Sequence, residues 1–152
     1  MKTIIISLFL FTASFISDSL TAYLWGSIPF NGVLIYTIIT FLCVRHWLPF
    51  TLGIFALASQ SFLLYDTVGL NYLYLIPLFI FIGTLKNFLH SQFVVATLGL
   101  LMGILFKTLF LVFYKGSSWP SLAYTFIQIG VNLVLLYRYL KCFPTARRGN
   151  RF

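Results

Sequence analysis

The stretch from Phe93 to Tyr114, FVVATLGLLMGILFKTLFLVFY, contains one charged residue, Lys107. As a helix rising about 1.5 Å per residue, it is long enough to cross the roughly 30 Å hydrocarbon core of a bilayer. A lysine inside such a helix costs about 2.5–3.5 kcal/mol unless other groups compensate it. Gly99, Gly103 and Lys107 are spaced four apart and therefore share one face, and small residues on a membrane helix typically face another helix. The pattern predicts that this face packs inside a helix bundle.

The composition of the whole chain also favours a membrane protein. Hydrophobic residues make up 61% of the sequence and charged residues only 8%, whereas soluble domains carry about 25% charged residues. The apolar runs are too long for the alternating pattern of a membrane β-barrel. We therefore expect an all-α membrane protein with one compact bundle. The net charge of +8 indicates contact with anionic lipid headgroups, and no nucleic acid is expected as a partner.

Six apolar segments separated by polar breaks predict six transmembrane helices. We assign these to residues 3–24, 30–44, 48–65, 70–85, 93–114 and 122–140. The first could instead be a cleaved signal peptide, but its apolar character resumes near Trp25 and no A-x-A cleavage site appears, which favours a retained helix. Residues 1–140 are thus predicted to form a six-helix transmembrane domain, and residues 141–152 a basic cytoplasmic tail.

The basic residues predict the orientation of these helices. With six spans, Lys115 would be the only basic loop residue on the outer side. Lys107 lies within a helix. The others would share the cytoplasmic side: Lys2, Arg45, Lys86, Arg138, Lys141, Arg147, Arg148 and Arg151. Because cytoplasmic loops are enriched in lysine and arginine, both termini are expected to be cytoplasmic. We expect the cluster from Arg138 to Arg151 to bind anionic lipid.

The partner of Lys107 is the main open question about the bundle interior. Asp18 would lie at a similar depth in the outer half of the first helix, so an ion pair between the two is our first expectation. Asp66, at the outer end of the third helix, is a rival acid. The third alternative is that Lys107 extends toward the membrane surface without an ionic partner.

Other polar residues inside the predicted helices have two interpretations. Gln128 and Asn132 lie four apart on the sixth helix, where such side chains typically form hydrogen bonds between helices. A polar substrate pathway is the alternative. The histidines, His46 and His90, have no second ligand nearby, so no metal site is expected. With two acidic residues in the whole chain, no catalytic set can be assembled, and we expect neither enzyme activity nor a cofactor.

The middle of the chain resembles a known family. Residues 53–73 read GIFALASQSFLLYDTVGLNYL. This segment is similar to the MreD family of bacterial rod shape-determining membrane proteins, in which a glycine-bearing third helix ends in an aspartate. A short loop and a Gly-Leu-Asn-like start to the fourth helix follow. The matching positions here are Gly53, Asp66, Gly69, Leu70 and Asn71.

The resemblance implies a noncatalytic scaffold in the bacterial inner membrane. Such proteins act with a bitopic MreC-like partner and help couple an MreB-like filament to peptidoglycan synthesis by a RodA-like protein and a penicillin-binding synthase. The fold of the family is similar to the substrate-binding S-components of energy-coupling-factor transporters. That similarity supplies the alternative function, a small-molecule-binding membrane subunit or small transporter.

Overall fold

A computed structural model describes residues 2–25, 31–44, 47–65, 72–115 and 118–142. These residues form six α-helices, which confirms the predicted all-α fold. Every helix end lies within three residues of the predicted one. The helices are α1 (Lys2–Trp25), α2 (Gly32–Cys43), α3 (Trp47–Tyr65), α4 (Tyr72–Phe88), α5 (Gln92–Lys115) and α6 (Leu122–Cys142).

The short helix α2 is the centre of the bundle. It packs against α1, α3, α5 and α6, and every residue in it except Phe41 is buried. This follows from its sequence, GVLIYTIITFLC, because a helix that is apolar on all sides is stable only when it is surrounded. With 12 residues it is about 18 Å long, shorter than the hydrocarbon core of a bilayer.

Two predicted glycines allow α5 to pack closely against its neighbours. A Cβ atom added at Gly99 would lie 2.8 Å from Ile82 Cδ1 on α4, and one added at Gly103 would lie 3.0 Å from Leu34 Cδ2 on α2. The face that carries both glycines therefore points into the bundle. Lys107 is one turn further along the same face.

Large apolar side chains are exposed on the outer surface of the described bundle, while several polar side chains lie inside it. Phe9, Phe55 and Phe113 are 71%, 69% and 81% exposed, whereas Asp18 and Asn132 are 2% and 0% exposed. In a soluble protein the distribution is normally the reverse, since charged and amide side chains remain in water.

One helix in the described part of the chain is long and apolar enough to cross a membrane. It is the segment Gln92–Phe110 of α5, of which only 33% is buried within the bundle. The corresponding helix in the core of a soluble protein would be mostly buried. The apolar segments of α1 to α4 are shorter.

A buried polar cluster at the start of the second helix

The polar interior is organised around the amino-terminal end of α2. The first backbone N–H groups of a helix have no partner within the helix, and together they create a partial positive charge. Asn31 occupies the N-cap position of α2, but its side chain forms no capping hydrogen bond. The first N–H groups of α2 must therefore find acceptors elsewhere in the bundle.

Asp18 on α1 supplies those acceptors. Its Oδ1 accepts a hydrogen bond from the backbone nitrogen of Gly32, and its Oδ2 accepts one from that of Val33, each at 2.9 Å. Asp18 lies about two turns before the end of α1, so this contact is inside the bundle and not at its rim. A buried carboxylate with two backbone donors at a helix N-terminus is in an environment that stabilises its charge.

Asn31 connects this end of α2 to α5 and α6. Its side-chain Oδ1 accepts a hydrogen bond from Lys107 Nζ at 2.9 Å, and its backbone nitrogen donates to Asn132 Oδ1 at 2.8 Å. Asn132 in turn donates through Nδ2 to the carbonyl oxygen of Gln128 at 2.7 Å. We call Asp18, Asn31, Lys107 and Asn132 the α2 cap cluster, which joins four helices.

The two charges of the cluster attract each other, but they have different hydrogen-bond partners. The Asp18 carboxylate accepts hydrogen bonds from the backbone of Gly32 and Val33, while the acceptor of the Lys107 hydrogen bond is the Asn31 amide. The ion pair between Asp18 and Lys107 that their similar depth predicts does not include Asn31. Asp66, the rival partner, lies outside the described residues.

The sequence contains a signal that identifies Asn31 as an N-cap residue. It directly precedes the apolar run that becomes α2, and asparagine in that position is typical of an N-cap. That signal predicts where a helix begins. It does not predict that the side chain turns away from its own helix and accepts a hydrogen bond from α5.

Hydroxyl pairs extend the polar contacts along α1. Ser7 Oγ and the Tyr36 hydroxyl on α2 are 2.9 Å apart. About two turns further along α1, Ser14 Oγ donates to the carbonyl oxygen of Leu10. It also accepts a hydrogen bond from the Tyr139 hydroxyl of α6 at 2.7 Å. Together with Asp18, these residues place three buried polar side chains on the side of α1 that faces α2 and α6.

The other predicted residues are dispersed. Gly53 is buried on α3 against Thr37 of α2. Arg138 and Lys141 are exposed in the last turns of α6, with Lys141 Nζ 4.5 Å from the centre of the Tyr137 ring. The remaining ones lie outside the described residues, namely Asp66, Gly69, Leu70, Asn71, Arg147, Arg148 and Arg151.

The polar contacts of the α2 cap cluster described above are hydrogen bonds. Within the described ranges, no three histidine, cysteine or acidic side chains converge to hold a metal ion. The Nδ2 group of Asn31 is buried and has no hydrogen-bond partner, which distinguishes it from the other side-chain atoms of the cap cluster.

Comparisons with known proteins do not assign the chain to a family. No family model, no curated protein and no solved structure matches it.

Proposed function

We propose that the six helices form one transmembrane bundle with both termini in the cytoplasm. Two observations support this proposal. Large apolar side chains such as Phe9, Phe55 and Phe113 are exposed around the bundle, where lipid would cover them. Each buried side chain of the α2 cap cluster forms at least one hydrogen bond, to another member or to the backbone, which suits polar groups inside a membrane. The short α2 is surrounded by other helices and so needs little contact with lipid.

We further propose that the bundle acts as a noncatalytic membrane scaffold. The observation that carries this proposal is the α2 cap cluster itself. The buried polar residues best suited to catalysis or transport are Asp18, Lys107 and Asn132. Each instead forms a hydrogen bond to Asn31 or Gly32 at the start of α2. Their contacts stabilise a rigid arrangement of four helices whose outer faces remain apolar. Such faces suit contacts with the membrane helices of other proteins.

The cellular role proposed for this scaffold is in the rod-shape machinery of the bacterial inner membrane. It is supported by the resemblance of residues 53–73 to the MreD family. The partners would be an MreC-like bitopic protein and, through it, an MreB-like filament, a RodA-like protein and a penicillin-binding synthase. The basic residues around Arg138 and Lys141 would contact anionic lipid on the cytoplasmic side.

The test combines depletion with purification from the native host. Depleting the protein should convert rod-shaped cells to spheres, and the tagged full-length chain should co-purify with an MreC-like protein in mild detergent. An unrelated multi-pass protein with the same tag is the control for nonspecific recovery. Depleted cells that remain rods, together with the absence of any cell-wall protein from the purified sample, would exclude this role.

One observation favours the alternative of a small-molecule-binding membrane subunit. The unpartnered Asn31 Nδ2 belongs to the same amide that accepts a hydrogen bond from Lys107, so the interior of the bundle holds a donor without an acceptor. In this case a ligand would stabilise the purified protein against unfolding. A scaffold without a ligand site would show no such stabilisation.

A further inference from the structure

The outer surface of α6 contains a notch that is lined by apolar residues. Its volume is about 440 Å³, and the residues around it are Ile127, Gly130, Val131, Val134 and Leu135. A Cβ atom added at Gly130 would meet nothing within 4 Å, so the space above the glycine is open. Ile127 and Val134 are 64% and 61% exposed. The notch therefore faces away from the described helices and toward the surroundings of the bundle.

The face of α6 that carries the notch ends in two basic residues. Arg138 and Lys141 follow Val134 by four and seven positions, so they lie on the same side of the helix, and both are exposed. Along the helix axis Arg138 is about 12 Å from Gly130. Half of a hydrocarbon core is roughly 15 Å deep. With Arg138 at the level of the headgroups, the notch lies beside the acyl chains of the same leaflet.

The two cations favour an anionic headgroup beside them. Asp18 is the one acidic side chain in the described part of the chain, and its oxygens accept hydrogen bonds from the backbone of α2. It does not neutralise Arg138 or Lys141. Guanidinium and ammonium groups form strong hydrogen bonds with phosphate oxygens. Lys141 Nζ is also 4.5 Å from the centre of the Tyr137 ring, which keeps the ammonium close to α6.

The shape of the notch suits an acyl chain better than a second helix. Membrane helices that pack closely typically have small residues four positions apart. The residues four positions from Gly130 are Phe126 and Val134, which are both large, and Phe126 is 73% exposed. These side chains would hold the backbone of another helix away from Gly130. A flexible acyl chain can enter between them.

We propose that this face of α6 binds one anionic phospholipid, with an acyl chain in the notch and the phosphate at Arg138 and Lys141. The site rests on the proposed transmembrane bundle. It does not depend on the role proposed in cell shape.

The experiment uses the purified full-length chain, freed of native lipid in a nonionic detergent. The probes are dioleoylphosphatidylglycerol and dioleoylphosphatidylcholine, which have the same acyl chains and differ in net charge. Phosphatidylglycerol should raise the unfolding midpoint in a saturable way, by about 3–6 °C at ten times its dissociation constant. Native mass spectrometry should show one retained molecule, and phosphatidylcholine should bind more weakly. Inorganic phosphate, which has no acyl chain, should not shift the midpoint beyond chloride at equal ionic strength.

Two kinds of variant separate the notch from the charges. Gly130→Leu fills the notch and should weaken the binding of both lipids, and its matched control is Ala13→Leu on the exposed side of α1. Arg138→Gln and Lys141→Gln should each weaken the binding of phosphatidylglycerol about fivefold and reduce its advantage over phosphatidylcholine. The control for the lost charge is Lys86→Gln in the last turn of α4.

Three outcomes would overturn the proposal. The first is equal binding of the two lipids by the unmodified chain. The second is a Gly130→Leu or Arg138→Gln variant that binds phosphatidylglycerol like its control. The third is a membrane protein that co-purifies with the unmodified chain but not with Gly130→Leu, in the absence of any preference for phosphatidylglycerol, which would assign this face to a partner helix.

The proposed orientation of the bundle is tested separately. Cys142 is exposed at the end of α6 and should react with a membrane-impermeant maleimide in inside-out vesicles but not in intact spheroplasts. Labelling in spheroplasts would refute the cytoplasmic placement of this end of α6. It would leave the binding of lipid by the purified chain unaffected, so the two failures are distinguishable.

Discussion

The Asp18 carboxylate caps the first turn of α2 at Gly32, with 2.9 Å between Oδ1 and the glycine nitrogen, although the two residues are 14 positions apart. A cap from another helix allows α2 to begin inside the bundle, where the side chain of its own N-cap residue, Asn31, does not satisfy its first N–H groups. Gly32 is suited to this approach, because a Cβ atom there would lie 3.0 Å from Asp18 Oδ1. The formation of α2 is therefore linked to its docking on α1.

Asp18→Asn is expected to destabilise the bundle by about 1–3 kcal/mol. The amide has one oxygen where the carboxylate has two, so one buried N–H group of α2 loses its acceptor and faces another donor. The measurement is the unfolding midpoint in detergent, followed by circular dichroism.

The matched control for this change is Thr12→Val, also on α1. The Thr12 hydroxyl is exposed and donates only to the carbonyl oxygen of Leu8 in its own helix, so its loss should have little effect. If Asp18→Asn and Thr12→Val unfold at the same midpoint, the cap on α2 does not contribute to stability.

Exchanging the two charges, Asp18→Lys with Lys107→Asp, should not restore the stability that each single change removes. A simple ion pair would tolerate the exchange. Here position 18 must accept hydrogen bonds from Gly32 and Val33, and a lysine has no acceptor. An ammonium group would also face the positive end of α2.

A double-mutant cycle with Asp18→Asn and Lys107→Met measures how much the interaction between the two charges contributes to the free energy of unfolding. This contribution is thereby separated from that of the hydrogen bonds between Asp18 and α2. Because opposite charges attract strongly in a low-dielectric interior, we expect a coupling free energy of about 0.5–3 kcal/mol in unfolding measurements. For the exchanged pair, Asp18→Lys with Lys107→Asp, recovery of the unfolding midpoint would contradict the cap and favour a direct ion pair.

The sequence was sufficient to predict the helices because each is a long apolar run bounded by polar or turn residues. It also predicted which face of α5 packs inside the bundle, since Gly99, Gly103 and Lys107 are spaced four residues apart and so lie on the same face. Asp18 and Asn132 stood out for a related reason: a polar side chain within an apolar run requires a partner.

The pairing of these residues could not be predicted in the same way. Helix periodicity gives the direction of Lys107 but not which neighbour lies opposite it, and depth along the helices suggested Asp18. Asn31 lies where a turn meets α2, and an asparagine in such a position predicts the start of a helix but not a contact with another helix. Only the packing of α1, α5 and α6 around α2 brings its amide within hydrogen-bond distance of Lys107.

Tyr139→Phe is expected to destabilise the bundle by about 1 kcal/mol, since the partly buried hydrogen bond from Tyr139 to Ser14 links α6 to α1. Ser14 would keep its bond to the Leu10 carbonyl, so the loss is limited to one interaction between helices. The control is Tyr137→Phe, because Tyr137 is 48% exposed. Equal midpoints for the two variants in thermal unfolding would show that the hydroxyl pair is dispensable.

The contact between Gly53 on α3 and Thr37 on α2 gives the final prediction. A Cβ atom at Gly53 would lie 3.1 Å from Thr37 Cβ and closer still to Thr37 Oγ1. Thr37 cannot easily move, since it is fully buried and its hydroxyl donates to the Val33 carbonyl at 2.7 Å. We therefore expect Gly53→Ala to destabilise the protein by about 1–3 kcal/mol through overpacking.

The control for that change is Gly130→Ala on α6, where an added Cβ atom meets nothing within 4 Å. Alanine should be neutral there or stabilise the helix by up to about 1 kcal/mol. Unfolding midpoints of the two variants, measured in the same detergent, should therefore move apart. If Gly53→Ala unfolds at or above the midpoint of Gly130→Ala, then α3 and α2 are not in close contact at this position, and the glycine is not required for their packing.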